Sequence, residues 1–370
     1  MTARIHGVTT AVPEHWAPQK RSFQFMRRVI EATTDGVDRE QALMYLEAIH
    51  EGCGIDQRYS VIDDFTHLHP DRFEFFGPNW RLDPFPSTRQ RMAIYQTKAV
   101  QLARRVGEDA LAQANVDPDE ITHINFVTCT GLFAPGPDVL LVNELGLRNT
   151  VRRTVIGFMG CYGAFNGLRN AAQIVAGNPD AVVLQICVEL CTLHYQRGTD
   201  PETLVSNSLF GDGAAALVVA HQDRLPGGVC DLMATHSYVA GDSLDQMRWD
   251  IGDTGFEMGL DRRVPDTIKA GAAGFVDGLL SYTEMGRDHI DHWLIHPGGP
   301  RILDAVRDGI DLMESDVAVS RSVLRDYGNM SSPSVLFVLK RQLDATKEGD
   351  SMAMLGFGPG LTMEGALLQR

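Results

Sequence analysis

The chain has 370 residues, 44% of them hydrophobic and 22% charged, a composition that excludes a disordered chain and suits one large unit or two intimately packed ones. Its 33 lysines and arginines against 48 aspartates and glutamates give a net charge of −15, which opposes general adsorption to nucleic acid or to anionic membranes. No apolar run approaches the roughly 18 residues a spanning helix needs, and the opening MTARIHGVTTAVPEHW lacks the charged-then-apolar order of a secretory signal, so a cytoplasmic protein is expected.

The first ninety residues predict a helical stretch around Ser22 to Glu51, followed by FEFFGPNWRLDPFP, an aromatic and proline-containing ordered loop. Arg81, Arg89 and Arg91 form the densest basic stretch here and read as solvated surface residues, with Arg58 alone nearby. From Arg91 an amphipathic helix runs through Ala114 to the strand HINFVTCT, and APGPDVLLVNELG reads as a turn and helix. A strand near Val155 to Phe158, a helix beginning at about Cys161 and the buried strand AVVLQICV follow, and LFGDGAAALVVA closes this half with a glycine turn feeding a strand.

From Val229 a second α/β set appears. It comprises a helix around Val264 to Tyr282, the strand HWLIH, helices from Arg301 and Ser331, and the paired strands SMAMLGF and LTMEGALL. Both halves place a helix after a strand end, which suggests a duplicated architecture without a readable repeat. No low-complexity linker separates them.

The six cysteines do not resemble a disulfide framework, and a reducing compartment is inferred. Cys187, Cys191 and His194 raise a metal site, but no second ligand pair follows at finger-like spacing. If the strand continues to residue 194, His194 also points away from the two cysteines. No metal is expected.

Cys161 lies in VIGFMGCYGAFNGLRNAAQIVAG, between Gly160 and Gly163 and at the start of a helical apolar stripe. A helix N-terminus favours thiolate, although a lone cysteine is more often a small buried hydrophobe. His296 ends HWLIH and opens PGGP, so its imidazole should emerge at a strand's C-terminal edge, where α/β sheets bind ligands. Asn329 sits between Gly328 and MSSP, where Ser331 or Ser332 can cap the next helix; alone, it reads as a turn asparagine. GFGPG and GDG each lead into a strand-like segment, so the helix N-terminus of a phosphate loop is missing.

Together the segments GCYGAFNGL, SLFGDGAAALVV, TGFEMGLDRRVP, HPGGPRILDAV, YGNMSSPSVLFVL and GFGPGLTMEGALL resemble the type III polyketide synthases, the chalcone synthase-like members of the thiolase superfamily. They stand in that family's order from about residue 120 to the C-terminus, and the first ninety residues match loosely. The resemblance implies an α/β thiolase fold of five layers, αβαβα, built from halves 1–222 and 223–370, as a homodimer. It implies Cys161, His296 and Asn329 as the catalytic trio, with no cofactor and with CoA thioesters as substrates: an acyl-CoA starter and malonyl-CoA, condensed iteratively with loss of carbon dioxide.

The same matching makes Phe210 and Phe256 aromatic gatekeepers. It puts Cys129, Thr130, Cys191, His194, Gly298, Ser331 and Pro359 around the substrate. Only Arg58 falls in the stretch that clamps the CoA phosphates in plant members, which leaves an acyl carrier protein as an alternative donor. A single-round β-ketoacyl synthase of the fatty-acid initiation type shares the trio and is the alternative function.

Overall fold

The computed structural model describes residues 3–370. In the first half β1 (Ala3–Ala11), β2 (His15–Pro18), α1 (Gln19–Thr33), α2 (Gly36–Gly52) and β3 (Gln57–Ser60) precede α3 (Thr88–Ala114), β4 (His123–Thr128) and α4 (Pro137–Glu144). There follow β5 (Arg152–Gly157), α5 (Gly163–Gly177), β6 (Val182–Leu190), α6 (Pro201–Leu209) and β7 (Asp212–His221). The second half contains β8 (Cys230–Val239), β9 (Met247–Gly252), β10 (Gly255–Leu260), α7 (Val264–Leu280) and β11 (His292–Ile295). It ends with α8 (Pro300–Gly309), α9 (Ala318–Tyr327), α10 (Ser334–Leu343), β12 (Ser351–Gly358) and β13 (Thr362–Gln369).

Nine strands pair in the order β11-β12-β13-β8-β1-β7-β6-β4-β5. The two halves meet where Ala3–Ile5 pairs antiparallel with Cys230–Leu232. On either side of that seam the pattern repeats. The run β1, α3, β4, α5, β6, β7 corresponds to β8, α7, β11, α10, β12, β13, with one parallel pair (β4 with β6, β11 with β12) followed by antiparallel neighbours in each.

Side-chain alternation turns this sheet into layers. Along β6, Leu184, Ile186 and Val188 face one way into a core with α3 residues Tyr95, Leu102 and Val106, while Val183 and Cys187 face the other. That second core is shared by α5, α10 and the strands of the other half, including Met352, Met354 and Leu368. A third core covers the far face, where Ala353, Leu355 and Leu367 meet α7 and α8. The sequence of helix, sheet, inner helices, sheet and helix is the expected five-layer thiolase arrangement.

Local signals explain the principal elements. Ser87 and Gln90 form a reciprocal capping box at the start of α3, and Asn115 ends it in the left-handed region at φ 51°. The inner helix α5 is buried on most sides by small residues. A Cβ on its Gly167 would stand 2.5 Å from Gln185, so the close approach to β6 needs glycine there. Phe165, on the same helix, is 1% exposed, and its burial contributes about 2–3 kcal/mol.

Several local expectations need correction. The single early helix is two, α1 and α2, broken at Thr34–Asp35 where Gly36 takes φ 60°. The strand near Val155 begins earlier, at Arg152, and Phe158 has left it with φ 56°. Helix α10 starts at Ser334 rather than at Ser331. Ser331 takes φ 56°, and Ser334 Oγ accepts the Met330 N–H at 2.8 Å, so neither expected serine is the cap. Arg91 is no surface residue: it is completely buried, donating to the carbonyls of Pro86, Leu193 and Tyr195, with the Phe85 ring 4.8 Å from its guanidinium carbon.

Candidate active site

The pseudo-duplication brings corresponding ends of the two halves together. Cys161 occupies a 3-10 turn, Gly160–Tyr162, that leads into α5; Asn329 occupies the turn before α10; His296 directly follows β11. Expected as the first residue of the helix, the cysteine instead sits one short turn before it. Gly160 takes φ 76°, and a Cβ there would lie 2.4 Å from Pro359, so the nucleophile turn and the GFGPG turn touch across the halves.

Asn329 is held on every side. Its N–H donates to Leu209 O at 2.9 Å and its carbonyl accepts the Gly211 N–H at 2.9 Å. Its Oδ1 accepts the Ser331 N–H at 2.8 Å, and its Nδ2 donates to Gly298 O at 3.2 Å. The same amide lies against the nucleophile, with Oδ1 4.0 Å and Nδ2 3.9 Å from Cys161 Sγ. Gly298 links the third member, since a Cβ there would lie 3.4 Å from His296 Cδ2. The His296 N–H continues the ladder to Leu355 O at 2.8 Å, but neither ring nitrogen has a hydrogen-bond partner among the described residues. Both ring nitrogens of His6 are unpaired as well, but His296 is the one placed beside Asn329 and Gly298, where a catalytic role accounts for it.

Burial sets the protonation states. It pushes the Cys161 thiol up to about 11 against the lowering effect of hydrogen bonds from Ser331 and Asn329, and pulls the His296 imidazole down to about 3. The thiolate expected from the helix N-terminus therefore does not form by itself. Ionising the thiol needs a proton acceptor, because a lone buried charge is costly and a pair of opposite charges is less so.

In front of Cys161 opens a cavity of about 430 Å³. Ten of the residues expected from the sequence line it: Cys161, Cys129, Thr130, Cys191, His194, Phe210, Phe256, Ser331, Pro359 and Arg58. His296, Asn329 and Gly298 are not on its wall; Asn329 lies against the sulfur, and Gly298 lies between Asn329 and His296. Cys191 and His194 face the same space because β6 ends at Leu190 and a 3-10 turn follows; the strand parity that was to separate them does not reach residue 194. Cys187, still inside β6, faces the inner core instead.

Arg58 is half-buried, with Nε bonded to Gln19 Oε1 at 3.0 Å and Nη1 to the carbonyls of Asn207 at 2.8 Å and Phe210 at 2.5 Å. It anchors the turn that carries Phe210, and burial lowers its pKa to about 10. Its Nη2 has no protein acceptor among the described residues.

The sequence reading missed Glu189. It is fully buried beneath the site and accepts Cys129 N–H at 2.9 Å, Thr130 Oγ1 at 2.8 Å and Ser332 Oγ at 2.6 Å. It thus ties the cysteine–threonine turn after β4 to the serine turn before α10, and burial raises its carboxyl to about 7. A single acid in the apolar strand VVLQICVEL was the available signal. Trp249, whose indole N–H donates to Cys129 O at 2.8 Å, also lines the cavity and was not expected.

Known proteins resemble this chain along nearly its whole length. The family model for the N-terminal domain of chalcone and stilbene synthases matches residues 2–223, and that for their C-terminal domain matches residues 232–370. The chain is 38% identical over 276 residues to 3,5-dihydroxyphenylacetyl-CoA synthase of Amycolatopsis balhimycina, covering 73% of this chain and 74% of that protein. It is 32% identical over 371 residues to the alpha-pyrone synthesis polyketide synthase-like Pks18 of Mycobacterium tuberculosis, covering 99% and 90%. The crystal structure of PKS-I from the brown alga Ectocarpus siliculosus superposes with a TM-score of 0.90 at 32% identity, covering 100% of this chain and 98% of that one.

Proposed function

The chain belongs to the chalcone and stilbene synthase family and is a type III polyketide synthase, and from that premise we propose how its own residues carry out decarboxylative condensation. The observation that carries the proposal is the unpaired, buried imidazole of His296, joined through Gly298 to the Asn329 amide that lies against the sulfur of Cys161.

His296 takes the Cys161 proton as the sulfur attacks the carbonyl of a starter acyl-CoA, and returns it to the departing CoA thiolate, which leaves an acyl thioester on Cys161. Malonyl-CoA then loses carbon dioxide, and the electron pair of the broken bond becomes an enolate on the remaining acetyl-CoA unit. Asn329 Nδ2 and a His296 ring N–H donate to that enolate oxygen and stabilise the charge that develops on it. The enolate carbon attacks the Cys161 thioester, the thiolate leaves, and the extended chain is reloaded for another round before cyclisation to an aromatic or pyrone product.

Phe210 and Phe256 line the same cavity as the nucleophile, and serve as the gate between incoming thioester and growing chain. CoA thioesters rather than a carrier protein are the donors. The free Nη2 of Arg58 supports this, as does the relative whose name describes a CoA thioester product. A homodimer is the assembly: β5 is an open sheet edge with Val155 exposed, and Leu132 and the α4 residue Val139 are exposed nearby in the chain.

Intact-mass analysis after incubation with an acyl-CoA tests the nucleophile. The native protein gains the acyl mass, whereas Cys161→Ala gains none while still decarboxylating malonyl-CoA, because His296 and Asn329 remain. Product formation by Cys161→Ala at the native rate would overturn the assignment.

A further inference from the structure

The cavity wall includes an aromatic cluster whose central member makes an unusual set of contacts. His194 stacks on Phe256 with ring centroids 4.3 Å apart and planes 12° apart, and Trp249 packs edge-on against both rings. Both imidazole nitrogens are committed to backbone. Nε2 donates to Thr130 O at 2.8 Å, and Nδ1 accepts the N–H of Phe256 itself at 2.9 Å. Donor on one nitrogen and acceptor on the other fix one neutral tautomer, and burial supports it by lowering the pKa to about 3.

Phe256 lies on β10, which among the described residues pairs with β9 alone, in a two-stranded hairpin outside the nine-stranded sheet that carries Cys161's helix. Thr88 holds the hairpin's turn and Trp249 donates to Cys129 O, but at the amide of Phe256 itself the bond is to His194. One side of this hairpin faces the cavity, while Ile251 is exposed on it. His194, by contrast, follows β6 of the large sheet, and its turn is pinned. Arg91 donates to the carbonyls on either side, Leu193 and Tyr195, and Gln196 Nε2 donates to His194 O at 3.2 Å and to Thr254 O at 3.1 Å. Thr130, at the other nitrogen, is bonded through Oγ1 to Glu189. His194 thus joins the rigid sheet to the gate residue at backbone level.

We propose that His194 is a positioning residue, which sets the place of the Phe256 gate relative to Cys161 through its Nδ1 bond to the Phe256 amide and thereby controls starter entry and chain length. With no free nitrogen, it does not exchange protons with the growing chain. The inference rests on Phe256 acting as the gate.

Three variants and one double variant test it, with steady-state kinetics and product masses as readouts. His194→Phe keeps a stacking ring but loses both hydrogen bonds; it raises the KM for the starter thioester about fivefold or more and shifts products towards shorter chains, with a smaller effect on kcat. His194→Asn can place Oδ1 at the Phe256 amide, and brings KM and chain length back to within about twofold of native. On a Phe256→Ala background, His194→Phe adds less than about twofold, because its effect passes through Phe256.

Hydrogen exchange at the Phe256 amide gives a second readout that does not depend on turnover: exchange is faster in His194→Phe and near native in His194→Asn. The inference is overturned if Phe256→Ala alters KM and chain length while His194→Phe does not, or if the two substitutions act additively. If Phe256→Ala alone changes nothing, the gate assignment itself falls, and the inference with it.

Discussion

Replacing His296 by Gln removes the proton acceptor of Cys161 while keeping a polar side chain of similar length, and its effect on thiol reactivity can be worked from the site. Burial, opposed by hydrogen bonds from Ser331 and Asn329, holds the thiol up at about 11, so at pH 7.5 a cysteine without a base is thiolate to about three parts in ten thousand. If transfer to His296 makes the pair half ionised at that pH, the thiolate fraction is about 1,500-fold higher. A thiolate of lower pKa is intrinsically less nucleophilic, with a Brønsted slope of about 0.4–0.5, which takes back about 25- to 60-fold over the same interval.

The net expectation is that His296→Gln slows alkylation of Cys161 by iodoacetamide about 25- to 60-fold at pH 7.5. The variant's rate should climb about tenfold per pH unit through pH 7–9, whereas the native rate is near its plateau. The assay is peptide mass spectrometry of the Cys161 adduct over a pH series. Equal rates and equal pH profiles in the two proteins would refute the pairing of Cys161 with His296.

Arg91→Met leaves the Pro86, Leu193 and Tyr195 carbonyls without their donor, and should cost about 2–4 kcal/mol in urea unfolding; an unchanged midpoint would mean that desolvation of the guanidinium cancels its bonds. Glu189 has a folded pKa of about 7, above its unfolded value, so it binds a proton more tightly in the folded state, and its contribution to stability falls as pH rises from the unfolded value towards 7. Relative to Glu189→Gln, the native protein should therefore lose up to about 1.4 kcal/mol per pH unit across that window, measured as urea midpoints at several pH values. Gly328→Ala puts a Cβ 2.7 Å from Leu209 O at φ 70° and pushes Asn329 out of place. Malonyl-CoA decarboxylation by that variant should fall about tenfold or more.

What the sequence made legible was whatever is written locally. The continuous apolar run of β6, the long stripe of α3, and the glycine turns around Cys161, His296 and Asn329 each depend on residues a few positions apart; the Ser87–Gln90 capping box, which starts α3 at Thr88 rather than Arg91, went unread. The trio became a site only through the order of several such segments, since each member alone has a structural explanation.

The residues that escaped are those whose partners are distant in the chain. Arg91 looks like one more charge in a basic stretch until Leu193 and Tyr195, about a hundred residues on, supply its acceptors. Glu189 is satisfied from Cys129 and Thr130 on one side and Ser332 on the other. The cap of α10 was misplaced because the hydroxyl of Ser332 is used by Glu189, which no local rule contains. The tether between His194 and Phe256 likewise joins two elements 62 residues apart.

The central claim is iterative condensation on Cys161. Its most direct test is to incubate the native protein with a starter acyl-CoA and isotopically labelled malonyl-CoA and to determine the mass and ring structure of the product. The account predicts a cyclised product carrying more than one malonyl-derived two-carbon unit, formed through an acyl adduct on Cys161. A linear product extended by a single unit would contradict it.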